Sequence, residues 1–275
     1  MLAAMKTTPL LFAAALAALV PLPAFAQLEQ SFQDCAHGSG DVQIAACTWM
    51  IVHGKQKDAD LAVSFVNRGV AYQARGDFNH AAFDYTQAFT LMPDYALAYV
   101  NMGSLYDADG QYDRAIGYYD KAIAAKPDFA LGWFARGRAN AEAGRHEAAL
   151  ADYDAYASRV ADDPELYNDR GASLMALGRF GPARADFDHA LQINPAYAEA
   201  LENRGVVNFR TGAWSAAIAD ANAALAQKPQ SAPALYLRGV AKLRSGDPGG
   251  NADVAAATAL NAKISGTYAA LGVKP

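Results

Sequence analysis

Little in this chain points to catalysis. It has no Gly-x-Ser-x-Gly elbow, no phosphate-binding loop and no dinucleotide fingerprint. His146-Glu147-Ala148-Ala149-Leu150 begins like a zinc-protease helix but lacks the second histidine. The five histidines, His37, His53, His80, His146 and His189, are dispersed, and the last three fall on segments where an exposed position is expected. No catalytic residue, cofactor or metal is therefore expected, and the chain does not read as an enzyme. Long apolar runs are also missing. The longest, Leu10 to Val20, has 11 residues and is too short to span a bilayer. Positive charge is scarce, with 23 Lys and Arg against 28 Asp and Glu, which argues against nucleic acid as a partner.

Cysteine is limited to Cys35 and Cys47. Their spacing fits neither a Cys-x-x-Cys redox motif nor a haem attachment site, and with only His37 nearby a zinc site is incomplete. The first 26 residues carry one charge, Lys6, then the apolar run, then Ala24-Phe25-Ala26 before Gln27. This is the pattern of a secretory signal peptide, with cleavage expected after Ala26 and a periplasmic location for the remainder. Loss of Lys6 leaves 22 basic against 28 acidic side chains, a balance of −6. In an oxidising compartment an even cysteine pair reads as a disulfide, pinning the N-terminal coil to the helix that follows.

What the chain does have is a period. Gly69, Gly103, Gly137, Gly171, Gly205 and Gly239 are 34 residues apart, and so are Gly76, Gly110, Gly144, Gly178, Gly212 and Gly246. Twelve of the 22 glycines thus fall on two combs, which marks a stacked-repeat architecture built to hold a partner. The frame runs 62–95, 96–129, 130–163, 164–197, 198–231 and a degenerate 232–265. Frame position 20 is alanine in five repeats, from Ala81 to Ala217, and position 24 is Tyr85, Tyr119, Tyr153, Phe187 and then Ala221. Position 32 is Pro93, Pro127, Pro195 and Pro229; the third repeat has Ala161 there and Pro164 three residues later. Apolar spacings of three and four predict helices over positions 1–14 and 17–30. The glycine at position 8 sits inside the first helix at a cost of about 1 kcal/mol. Close approach of the position-20 alanine to the bare backbone is the expected compensation. The glycine at position 15 is placed to end that helix in a left-handed conformation.

These residues resemble the tetratricopeptide repeat family, most clearly Tyr99, Gly103, Tyr106, Ala115, Tyr119, Ala122 and Pro127. The resemblance covers about 200 of the 275 residues. It implies an all-α fold, a right-handed superhelical solenoid of antiparallel helix pairs, with a concave groove lined by first helices and a protein or peptide as partner. The segment 27–61 reads as an N-terminal cap, with Asp41 capping a half-repeat helix from about Val42 to Val52. The cysteine pair ahead of the repeats is similar to that of secreted bacterial members. Residues 264–275 read as a C-terminal cap with a short helix over about Ile264 to Leu271, since a terminal repeat lacks a neighbour on one side.

Two sets of polar residues follow the frame. Position 7 is Arg68, Arg136, Arg170, Arg204 and Arg238, and position 23 is Asp84, Asp152, Asp186 and Asp220, with Asp253 one residue early in the last repeat. Repeat two lacks both and has Met102 and Tyr118. A buried arginine needs a partner, so Arg and Asp are expected to pair, within a repeat or between neighbours; a line of ligand-binding arginines is the alternative. Position 6 supplies Asn67, Asn101, Asp169 and Asn203. In the family such amides hydrogen-bond the backbone of an extended peptide; solvated or locally bonded asparagines are the alternative. Arg138, Asn168, Glu202 and Tyr236 complete the candidate groove set, beside Glu165, Glu199 and Glu142. Val66, Val100, Phe134 and Tyr236 at position 5 read either as a groove floor or as helix core. The family's two-carboxylate clamp is absent, because position 5 carries no lysine. Acidic repeats four and five favour a neutral or basic segment. Two other functions remain open: an assembly component of an envelope complex using its convex face or caps, and a glycan or peptidoglycan binder.

Overall fold

The structure, a computed structural model, describes residues 22–274. Among them are fifteen helices and no strand. The expected export signal lies outside the described residues as far as Pro21; Leu22 to Ala26 fall in the first helix. The chain divides after Phe129 into two compact units. The first holds α1 (Leu22–His37), α2 (Gly40–His53), α3 (Asp58–Ala74), α4 (Phe78–Leu91), α5 (Ala96–Ala108) and α6 (Tyr112–Ala125). The second holds α7 (Ala130–Glu142), α8 (His146–Ala157), α9 (Pro164–Ala176), α10 (Phe180–Ile193), α11 (Ala198–Arg210), α12 (Trp214–Gln227), α13 (Ala232–Arg244), α14 (Gly250–Leu260) and α15 (Ile264–Ala270). Within each unit successive helices pack in antiparallel pairs, and the first helices of neighbouring pairs also touch, α3 on α5 and α7, α9, α11 and α13 in turn.

The turn chemistry accounts for the helix ends. All six position-15 glycines have φ between 70° and 87°. At Gly76 the N–H donates to Gln73 O at 2.9 Å and the Asp77 N–H donates to Tyr72 O at 2.9 Å, the paired bonds of a Schellman motif. The second helices end one residue before a proline: Met92, Lys126, Asn194 and Lys228 all have ψ between 86° and 92°, because the proline ring excludes the helical ψ. Repeat three, which lacks that proline, closes differently. Its α8 stops at Ala157, Asp163 accepts the Glu165 N–H at 2.9 Å to cap α9, and the Tyr156 hydroxyl donates to Asp163 Oδ2 at 2.7 Å.

The interior glycines do a different job from the one expected. The position-20 alanines are fully buried, but they do not fill the space a position-8 side chain would take. The ring at position 24 does. A Cβ on Gly69 would lie 2.6 Å from the Tyr85 ring, on Gly137 2.8 Å from Tyr153, and on Gly171 2.7 Å from Phe187; Gly103 faces Tyr119 in the same way. The aromatic side chain reaches across the pair where an alanine methyl cannot. Where position 24 is Ala221, Leu237 from the next pair reaches Gly205 instead. In the last pair backbone comes closest to backbone, with Gly250 O 2.7 Å from a Cβ on Gly239.

The arginines and aspartates pair within each repeat that carries them. Arg68 Nε and Nη2 donate to the two Asp84 oxygens at 2.8 and 2.7 Å, and Arg170 does the same to Asp186. Arg136 Nη2 lies 2.6 Å from Asp152 Oδ1, and Arg204 Nη2 lies 2.5 Å from Asp220 Oδ1. Arg238 pairs with Asp253. The aspartates are buried, so this fork-to-fork geometry supplies what a desolvated charge requires. The remaining guanidinium nitrogen reaches back to the preceding pair: Arg68 to Thr48, Arg170 to Asp154, Arg204 to Asp188 and Arg238 to Asn222. Each of these four arginines therefore ties three helices together. In repeat two Met102 is buried and Tyr118 stacks on Tyr106 with ring centroids 5.4 Å apart.

The N-terminal region departs from expectation in two ways. Residues 27–37 are helix rather than coil, so α1 and α2 form a complete pair, not a half-repeat. Leu28 packs on the cluster of Cys35, Ala46, Cys47 and Met50, which gives α1 an apolar face. Ser39, not Asp41, is the N-cap residue of α2; Asp41 lies in the first turn and pairs with Arg75 instead. The sulfurs of Cys35 and Cys47 are 2.13 Å apart, joining α1 to α2. At the other end α15 packs on α13, with Tyr236 and Tyr268 rings 5.3 Å apart.

Candidate functional site

In the first unit, Asn67 and Asn101 are half-buried on α3 and α5. Asn67 lines a cleft of about 130 Å³ with Phe32, Val63 and Ser64. The α3–α5 contact is polar: Gln73 Nε2 donates to Ser104 Oγ at 3.1 Å, and Gln73 Oε1 accepts the Tyr85 hydroxyl at 2.7 Å. Val66 and Val100 are buried, so they belong to the helix core and not to a groove floor. Phe134 and Tyr236 in the second unit do likewise.

In the second unit the candidate residues separate. Tyr236 is 1% exposed, closed over by α15, with its hydroxyl 3.2 Å from Ser265 Oγ. Asn168 is also 1% exposed; its amide oxygen accepts from Asn203 Nδ2 at 3.0 Å and its Nδ2 donates to Asp169 Oδ1 at 3.3 Å. Neither is a ligand-facing residue in this structure, because position 5 turns into the pair interface while position 6 does not. Glu202 is half-buried and accepts the Ser231 hydroxyl at 2.6 Å, beside the N-terminus of α13.

Arg138, Asp169 and their neighbours do come together. A pocket of about 300 Å³ opens on the first-helix face, with Arg138 and Glu142 from α7, Asp169 and Ser173 from α9, and Glu199 from α11. His146 and Tyr153 of α8 line its depth, and His146 is half-buried rather than exposed as expected. Arg138 Nη1 donates to Glu165 Oε1 at 3.1 Å, and its Nε lies 3.7 Å from Asp169 Oδ2. Burial raises the Asp169 carboxyl to about 6, with Glu165 and Glu199 pushing the same way and Arg138 opposing. Burial and then Asp169 push the Tyr153 hydroxyl well above its ordinary value. Ser173 Oγ and His146 Nδ1 are shielded and have no hydrogen-bond partner among the described residues.

Ser173 escaped the sequence reading, although a signal existed. Its frame position is Ala71, Leu105, Ala139, Val207 and Ala241 elsewhere. A hydroxyl at a site otherwise apolar and mostly buried is a departure without a packing reason.

The Asp169 environment has a measurable consequence. Its folded pKa lies above the ordinary 3.8, so its contribution to stability is full below about pH 4 and is lost as pH rises through about 6. Asp169→Asn is expected to stabilise the chain by about 1–2 kcal/mol near pH 7.5. The difference should vanish below about pH 4. Urea unfolding of both proteins across that range checks it; equal stability at every pH would contradict the assignment.

The sequence profile of the tetratricopeptide repeat matches residues 66–128, 100–164 and 168–232, more than half of the chain. The chain belongs to the tetratricopeptide repeat family. Tetratricopeptide repeat proteins are protein-interaction scaffolds that bind protein or peptide partners. Solved structures share the fold. YrrB, described as a TPR protein with an unusual peptide-binding site, is 21% identical, with 66% of this chain and 94% of that one aligned at a TM-score of 0.56. A tetratricopeptide repeat protein from Parabacteroides merdae is 17% identical over 90% of this chain and 97% of that one, TM-score 0.64. PilW, a type IV pilus biogenesis factor, is 17% identical over 76% of this chain and 94% of that one, TM-score 0.64. No curated protein matches the chain. No helix among the described residues is long and apolar enough to cross a membrane.

Proposed function

We propose that the chain is an exported, periplasmic and non-catalytic scaffold. It holds an extended, neutral or basic segment of a partner protein on the face formed by the first helices of the second unit. The carrying observation is the polar pocket on α7, α9 and α11, where family members present their ligand-facing side chains. Half-exposed Asn203 on α11 offers an amide to a peptide main chain, although it spends one donor on Asn168. That YrrB is described as having a peptide-binding site supports the same reading. Export would place Cys35 and Cys47 in an oxidising compartment, where the pair closes as a disulfide between α1 and α2.

A second reading has its own observation. A largely apolar cleft of about 370 Å³ lies between α4 and α5, lined by Phe78, Ala82, Met102, Leu105 and Tyr106, with Phe78 53% exposed. It flanks the repeat that lacks the Arg–Asp pair, and it suits an assembly contact made away from the first-helix face. The glycan reading loses its aromatic platform, because Tyr236 is buried.

Photo-crosslinking separates the two. A photoreactive residue in place of Asn203 is expected to capture a partner in periplasmic extracts, from a chain whose N-terminus is Gln27. Capture only from a photoreactive residue in place of Phe78 would favour the assembly reading. A chain retained in the cytoplasm would overturn the export assignment.

A further inference from the structure

We propose that the pocket between α7, α9 and α11 receives one basic side chain of the bound segment, a lysine ammonium or arginine guanidinium, as its specificity anchor. This rests on the first-helix reading above and adds what that face selects. The charge balance is the first argument. Glu142, Asp169 and Glu199 line the pocket and Glu165 stands at its edge, against the single guanidinium of Arg138. An anion entering here meets four carboxylates; a cation completes them. Arg138 is engaged with Glu165 and Asp169, and its side chain is 54% exposed.

The second argument is independent of charge. Ser173 is 1% exposed and lines the pocket, yet its hydroxyl has no partner. A buried hydroxyl without a partner costs about 1–3 kcal/mol, which a ligand N–H would recover. An ammonium with three donors, or a guanidinium with five, satisfies a serine oxygen and flanking carboxylates together. The third is shape. Ala141, Ala172 and the Tyr153 ring give the pocket apolar wall between its polar ends, suited to the methylene stem of a long cationic side chain.

The groups that decide the charge state come from every helix around the pocket: Arg138 and Glu142 from α7, His146 and Tyr153 from α8, Glu165 from α9, and Glu199 from α11 with Tyr197 at its N-cap. Acidification protonates Asp169, whose carboxyl burial raises to about 6. Loss of that negative charge acts against a bound cation, so affinity falls as pH drops below about 6.

The test is a random display library of short peptides panned on the full chain. Selected peptides are expected to carry lysine or arginine at one fixed position. Replacing that residue by norleucine, which keeps the stem and removes the charge, should weaken binding at least about ten-fold. Glu199→Gln, an exposed change, should weaken the lysine peptide at least about five-fold and leave the norleucine peptide unaffected. Peptides that bind on the first helices with no basic preference, or with no loss on norleucine, overturn the anchor and leave the scaffold reading standing. Failure to select any peptide overturns both. Selection of acidic peptides overturns the anchor and returns the pocket to Arg138.

Discussion

Asp220→Ala is expected to cost the chain about 3 kcal/mol, among the largest single losses available to it. Asp220 is 5% exposed and accepts from Arg204 Nε and Nη2 and from Asn208 Nδ2. Removing it leaves a half-buried guanidinium with only Asp188 and strands the Asn208 amide. The loss is one of partnership and not of attraction in itself, and the chain carries its own control. Repeat two dispenses with the pair by placing Met102 and Tyr118 at the same positions. Arg204→Met combined with Asp220→Tyr removes both charges together, and should cost less than half as much as Asp220→Ala, because no orphan charge remains. Equilibrium urea unfolding of the three proteins decides. Equal losses in the single and double variants would mean that the pair acts through packing alone.

Gly171→Ala is the second large effect, and its sign runs against helix propensity. In an open helix the change gains about 1 kcal/mol. At Gly171 the new methyl would lie 2.7 Å from the Phe187 ring, which is fully buried and has nowhere to retreat. Overpacking of this kind costs about 1–3 kcal/mol, so the net change is expected to be destabilising. Gly117→Ala is the matched comparison. Gly117 lies inside α6 with nothing within 4 Å of a new Cβ, and is expected to stabilise by about 0.5–1 kcal/mol. Thermal melts of the two variants should move in opposite directions. A stabilising Gly171→Ala would show that the ring does not need the bare backbone.

The fold was legible because its devices repeat. Gly76 and its five counterparts announce left-handed helix ends. The joint absence of arginine and aspartate from repeat two shows that positions 7 and 23 depend on each other. Features made between repeats were harder to read. The third bond of Arg204, to Asp188 on the preceding pair, is set by stacking geometry, which one frame does not contain. The Phe187 ring over Gly171 hid behind the more conspicuous alanines, since sequence spacing does not say how far a side chain reaches. Helix α1 is less legible: Leu28, Phe32 and Cys35 keep a spacing of four and three, but so short a run directly after the signal-like segment reads as coil pinned by Cys35.

The candidate site was legible in part. Position 6 marked Asp169, and Arg138 stood in the candidate groove set. Position 5 misled: Asn168 is polar, but it turns inward and spends its amide on Asn203 and Asp169. Ser173 was visible as a polar exception to an apolar column. His146 sits on a second helix yet reaches the pocket through its depth, which a division of helices into inner and outer rows does not anticipate.

The central claim is that the first helices of the second unit bind the partner segment. Hydrogen exchange of the full chain, with and without a peptide selected on it, tests this most directly. Slowed exchange concentrated in α7, α9 and α11 is the predicted result. Slowing confined to α8, α10 and α12, or to the cleft between α4 and α5, would contradict it.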